Sequence, residues 1–68
     1  DLEDSLRSRA YHVIGQVSVG RYQDHKSVVD LDEAIKSLNE AVGLDPGNGN
    51  ARVLLKELRK ARGALQAS

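Results

Sequence analysis

Apolar residues recur at helical spacing in three segments, predicting three helices over about residues 2–19, 23–42 and 50–66. The middle segment is the most fully specified. Leu31, Ala34, Ile35, Leu38, Ala41 and Val42 share one face, while Asn39 and Glu40 face away. Asp30 reads as an N-cap with Glu33 three residues on, a capping box. Asp32 and Glu33 put negative charge at the positive end of the helix dipole. Gly43 suits a left-handed helix stop with Leu44 folding back onto Leu38, and Pro46 blocks continuation. A β-branched residue in place of Gly43 is expected to damage that stop.

Where this helix begins stays open. Gly20 ends the first helix and Asp30 starts the next, or the second helix begins between Tyr22 and Ser27. The second alternative is favoured. Val28, Leu31, Ile35, Leu38 and Val42 form an unbroken series, and a long loop containing apolar residues is uncommon.

In the last segment Ala51, Leu54, Leu55, Leu58, Ala61 and Leu65 make the stripe, and Asn48 or Asn50 caps its start. In the first, Leu2, Leu6, Ala10, Val13, Ile14 and Val17 keep helical spacing, with Asp1, Glu3 and Asp4 suited to the N-terminus. Gly15 lies mid-helix, where glycine costs about 1 kcal/mol relative to Ala. Close approach of a neighbour's backbone would account for it.

Composition narrows the picture. The chain has 68 residues, room for one small domain. It has no Cys, Phe, Trp or Met, and Tyr11 and Tyr22 are its aromatic residues. The core must come from Leu, Val, Ile and Ala, and disulfides and thiolate metal sites are excluded. A chain opening on Asp1 with no Met reads as part of a longer protein. No apolar run approaches a membrane span and no secretory signal opens the chain, which points to an intracellular, cytoplasmic setting.

Ten basic and ten acidic residues cancel overall, but unevenly. Residues 51–68 hold five cations (Arg52, Lys56, Arg59, Lys60, Arg62) and one acid, Glu57. Arg52, Lys56, Arg59 and Lys60 form a basic stripe that could meet phosphates or an acidic protein. The plainer reading is a solvated outer face, and the lack of aromatic residues argues against stacking on single strands.

No catalytic or cofactor-binding group emerges. His12 and His25 have neither a nucleophile nor enough companions for zinc, which needs three or four ligands. Gly47 and Gly49 follow a helix rather than a strand, so they mark a turn and not a phosphate loop. Asp30, Asp32 and Glu33 are explained by helix-end charge. The chain reads as a non-enzyme without metal or cofactor.

One set of residues carries a family resemblance. Tyr11, Ile14 and Gly15 stand at the W, L and G of W-x₂-L-G-x₂-Y, and Ala34 and Leu38 at A-x₃-F. Ala41 fits the small position that follows, and Pro46 falls eight residues after Leu38. On these residues the chain resembles the tetratricopeptide repeat (TPR), as one degenerate repeat followed by a C-terminal capping helix. Ser18 replaces the Tyr, and the interval from Gly15 to Ala34 is longer than the pattern by seven residues. That insertion would suit two extended helices. In the capping helix Leu55 takes the family's Leu position, while Arg52 replaces the Trp and Lys56 the Gly.

The resemblance implies an all-α, antiparallel three-helix arrangement. It also implies a protein-interaction role, a scaffold or adaptor segment holding a peptide or partner helix in a groove. By this alignment the groove includes Arg9, His12, Gln16 and Val19 from the first helix and Asn50, Val53 and Glu57 from the last. Family members that grip chaperone-tail carboxylates use Lys and Asn where this chain has His12 and Gln16, and a further Asn aligned with Leu54. The mismatch at all three argues against that ligand. The alternative function is self-association, with two chains or neighbouring repeats covering each other's stripes. A nucleic-acid role for the basic helix ranks third.

Overall fold

In a computed structural model, which describes residues 2–67, the chain forms three helices. They are α1 (Leu2–His25), α2 (Val28–Leu44) and α3 (Gly49–Ala67). Among the described residues there is no strand, so the architecture is all-α. Both connections are short, so the chain doubles back twice. The expected contribution of Asp1 to the first helix lies outside the described residues.

The α1–α2 junction departs from the expected boundaries. Gly20 does not end α1, which runs on to His25 because Val19 and Tyr22 still pack against the core. The turn closes at Lys26, whose φ of 55° is left-handed. Its N–H donates to the Tyr22 carbonyl at 2.7 Å, and its ammonium lies 5.8 Å from the Tyr22 ring centroid. Ser27 is the N-cap of α2, with extended backbone and no side-chain cap bond. Its carbonyl accepts from Leu31 N–H at 3.2 Å. Asp30 therefore sits inside the first turn of α2, where its charge still faces the positive dipole end but its side chain is no cap. Lys26 and Ser27 are left between the two rods.

The other end of α2 also corrects an expectation. Gly43 is helical, with no positive φ and open space around it, and the helix continues through Leu44. Asp45 makes the stop, donating its N–H to the Ala41 carbonyl at 3.0 Å. Its carboxylate accepts from Gly47 N–H at 3.1 Å, and its carbonyl accepts from Asn48 N–H at 3.0 Å. Asn48, one of the two expected caps, then accepts the Ala51 N–H at 3.2 Å and starts α3.

The core is aliphatic and centred on α2. Leu31, Ala34, Leu38 and Ala41 meet Ala51, Leu55 and Leu58 of α3, all buried. Val19, Tyr22, Ile35, Val42 and Leu54 border them. Both expected stripes of α2 and α3 thus face inward, except that Val28 and Leu65 are exposed. α1 and α3 each pack on α2 and barely touch each other.

α1 reverses the expectation for its stripe. The residues it buries are Ser8, Gly15 and Ser18. At 100° per residue these lie opposite Leu2, Leu6, Ala10, Val13 and Val17. That apolar stripe points outward: Leu2 is 78% exposed, Leu6 54%, Val13 57%, Ile14 50% and Val17 52%. The reason is steric. A Cβ on Gly15 would lie 2.8 Å from Leu38 Cγ, so small residues are what let α1 approach α2 this closely. The neighbour is thus a side chain rather than the backbone that the sequence suggested.

Candidate interaction surfaces

A buried polar knot joins the three helices and sets their relative position. Ser8 of α1, fully buried, donates its hydroxyl to the Ala41 carbonyl of α2 at 2.7 Å. The same hydroxyl accepts from Asn48 Nδ2 at 3.2 Å, while Asn48 Oδ1 caps α3. Every member has a partner, so burial of the knot leaves no stranded polar group. Around it three surfaces open.

The first surface is a shallow cleft between α1 and the start of α3. Arg9 and His12 share it with Ser5, Asp45, Asn48 and Asn50. Of the residues expected in a groove, it thus brings together Arg9, His12 and Asn50. Gln16 adjoins it, with its Nε2 3.5 Å from His12 Nε2. Val19 is half-buried against the core, Glu57 is exposed on α3, and Val53 opens on a different surface.

The second surface is the outward stripe of α1. It runs into a crevice against α2 lined by Ala10, Tyr11, Ile14 and Leu44, with Arg7 and Glu40 at the rim. Arg7 pairs with Glu3 at 2.6 Å, an i, i+4 pair on the exposed helix surface.

The third surface lies on α3 facing the C-terminal half of α2. Val42, Val53 and Leu55 form its apolar part, and Arg52, Lys56 and Arg59 its polar edge, around a concavity of about 530 Å³. Three of the four stripe cations expected on this helix share one hollow. Arg59 is held by Asn39 Oδ1 at 3.2 Å. The side chains of Arg52 and Lys56 make no hydrogen bond or ion pair among the described residues.

The titratable candidates do not gather. His12 is half-buried in the first cleft, and His25 is exposed at the end of α1. Asp32 is tied to Arg62 of α3 at 2.8 Å. Among the described residues no three of His, Asp and Glu come together as a metal ion would require. Gly47 belongs to the Asp45 turn, and Gly49 is the first residue of α3. Among the described residues, no helix is long and apolar enough to cross a membrane.

The inward role of Ser8, Gly15 and Ser18 was missed when apolar periodicity alone was read. The signal was present: Ser8, Gly15 and Tyr22 recur every seventh residue with Ser18 between them, a line of mostly small side chains along one side of a helix.

Comparison of the chain with models of protein families, with curated proteins and with solved structures finds no match.

Proposed function

We propose that this chain is a protein–protein interaction module, a TPR-like scaffold or adaptor segment that binds a partner helix or peptide and carries out no chemistry. The observation that supports the reading best is the outward face of α1. Leu2, Leu6, Val13 and Val17, each more than half exposed, lie along one helix opposite the face that packs on α2, with Ile14 on their flank. α1 is 24 residues long, about 36 Å at 1.5 Å per residue. A helix apolar on one side and tightly packed on the other is built to sit between two neighbours, and the chain supplies one of them. The molecule leaves 4692 Å² accessible, against about 4,200 Å² expected for a compact monomer of this size. Contiguous apolar patches of this kind mark contact sites.

The face also favours a second reading, self-association. Leu6, Ala10, Val13 and Val17 form a run that is symmetric on reversal, so two antiparallel α1 helices would set Leu6 against Val17 and Ala10 against Val13. Photo-crosslinking from Val13 and, as control, from Gly43 separates the cases. Gly43 is exposed on α2 with nothing around it. An interaction module gives discrete protein adducts from position 13 alone. Adducts made of the chain itself would select self-association. Equal or absent adducts from both positions refute both readings.

A further inference from the structure

We infer that the hollow on α3 is a docking site for an acidic amphipathic helix from another protein. It is a different surface from the α1 stripe, although it rests on the interaction-module reading. Two features of the hollow specify its occupant. Its floor is aliphatic, with Val53 left 60% exposed between Val42 and Leu55. Its edge is cationic at a fixed spacing: Arg52, Lys56 and Arg59 stand at i, i+4 and i+7 on α3. At 1.5 Å per residue they are spread over about 10 Å of helix axis.

A helix laid alongside with acidic residues at the same interval meets all three cations along one edge. Its adjoining apolar residues then cover Val53 and Val42. Lys60, exposed seven residues beyond Val53, extends the positive field along the same helix. Among the described residues Arg52 and Lys56 have no side-chain partner that would have to be displaced.

The alternatives fit less well. Nucleic acid would engage the cations but has no use for an aliphatic floor, and no aromatic ring is available here for base stacking. A second copy would have to offer its own exposed apolar helix. That helix, α1, carries charges of both signs beside its stripe, Arg9 and Arg21 with Glu3 and Asp24, and has no acidic residues at i, i+4 and i+7 to match the three cations.

The test is fluorescence anisotropy with three labelled probes. One is a helix-stapled 20-residue peptide with Leu along one stripe and Glu at i, i+4 and i+7 beside it. The second has Lys in place of each Glu, and the third is a 20-nucleotide single-stranded DNA. The acidic peptide is expected to bind at least tenfold more tightly than either control. Val53→Ser should weaken it about five- to tenfold, because the floor is lost. The double variant R52E/K56E should reverse the preference toward the Lys peptide. All three residues are exposed, and helical circular dichroism checks that the variants remain folded. Equal binding of both peptides, tighter binding of the DNA, or insensitivity to Val53→Ser would each overturn the inference. Crosslinking from Val13 reports on the α1 face independently, so failure here is distinguishable from failure of the module reading.

Discussion

Replacing Gly15 by Ala tests the packing on which the whole arrangement rests. Two effects oppose each other. Alanine is the better helix former, and mid-helix the exchange should gain about 1 kcal/mol. Against this, the new Cβ would stand 2.8 Å from Leu38 Cγ, 3.0 Å from Cδ2 and 3.5 Å from Cδ1. The near atom is the branch point of the side chain, not a free end, and Leu38 is 0% exposed at the centre of the core. Leu38 is enclosed by the core, so relief falls on the spacing between α1 and α2. Overpacking of this kind costs ~1–3 kcal/mol. The net expectation is destabilisation by about 1 kcal/mol, which for a domain this small lowers Tm by roughly 4–8 °C.

Internal controls come with the sequence. Gly20, Gly43 and Gly63 are also helical, and a Cβ at each meets nothing within 4 Å. Alanine there should stabilise by about 0.5–1 kcal/mol apiece. Urea unfolding followed by circular dichroism measures all four variants. The double variant Gly15→Ala/Leu38→Val should recover part of the loss through coupling between the two positions. Stabilisation by Gly15→Ala equal to that by Gly43→Ala would refute the close approach of α1 to α2.

Other outcomes follow from the polar knot and the surface. Ser8→Ala should cost about 1 kcal/mol rather than more, because the Ala41 carbonyl keeps its bond from Asp45 N–H. Asn48→Ala should cost ~1–2 kcal/mol through loss of the α3 cap. The pair should be less than additive by urea unfolding, since they share the Ser8–Asn48 bond. The Asp32–Arg62 bridge, with side chains 53% and 30% exposed, should give only ~0.2–1 kcal/mol in a double-mutant cycle and fade in high salt. Val13→Glu with Val17→Lys should leave the unfolding free energy within about 0.5 kcal/mol per site, and a collapse of the fold would return the α1 stripe to the core.

The legible parts of this fold are those in which periodicity and local chemistry agree. In α2 the apolar face and the buried face coincide, because a helix held between two others must bury a wide aliphatic arc. Leu31, Ala34, Leu38 and Ala41 could be named from spacing alone. The turn at Asp45–Asn48 was legible because Pro and the side-chain amide act within a few residues. The caps misled at two places for a common reason. Asp30 and Gly43 have the right chemistry for helix ends, yet both are held inside α2. The favoured start of α2, between Tyr22 and Ser27, is too early: the helix begins at Val28, because Tyr22 and the residues up to His25 still belong to α1. Of the residues that the repeat alignment put in a groove, Arg9, His12 and Asn50 share a cleft while Val53 lies elsewhere, and the grouping of Arg52, Lys56 and Arg59 with Val42 depends on how α3 crosses α2.

α1 is the instructive failure. Its apolar periodicity is real, but periodicity marks the face a helix needs covered without saying what covers it. The side facing α2 is Ser8, Gly15 and Ser18, where the gain comes from close approach and one buried hydroxyl more than from aliphatic area. Small residues let two helices come near enough for Leu38 to fill the gap itself, so the larger residue of the contact sits on α2 alone. With that side satisfied, Leu2, Leu6, Val13 and Val17 stay more than half exposed on the far side of α1. Leaving them in water forgoes roughly 1.5–3 kcal/mol for each that could be fully buried. For a small domain whose margin of stability is of that same order, the forgone burial is comparable to the whole margin, and a helix seated on the stripe would supply it.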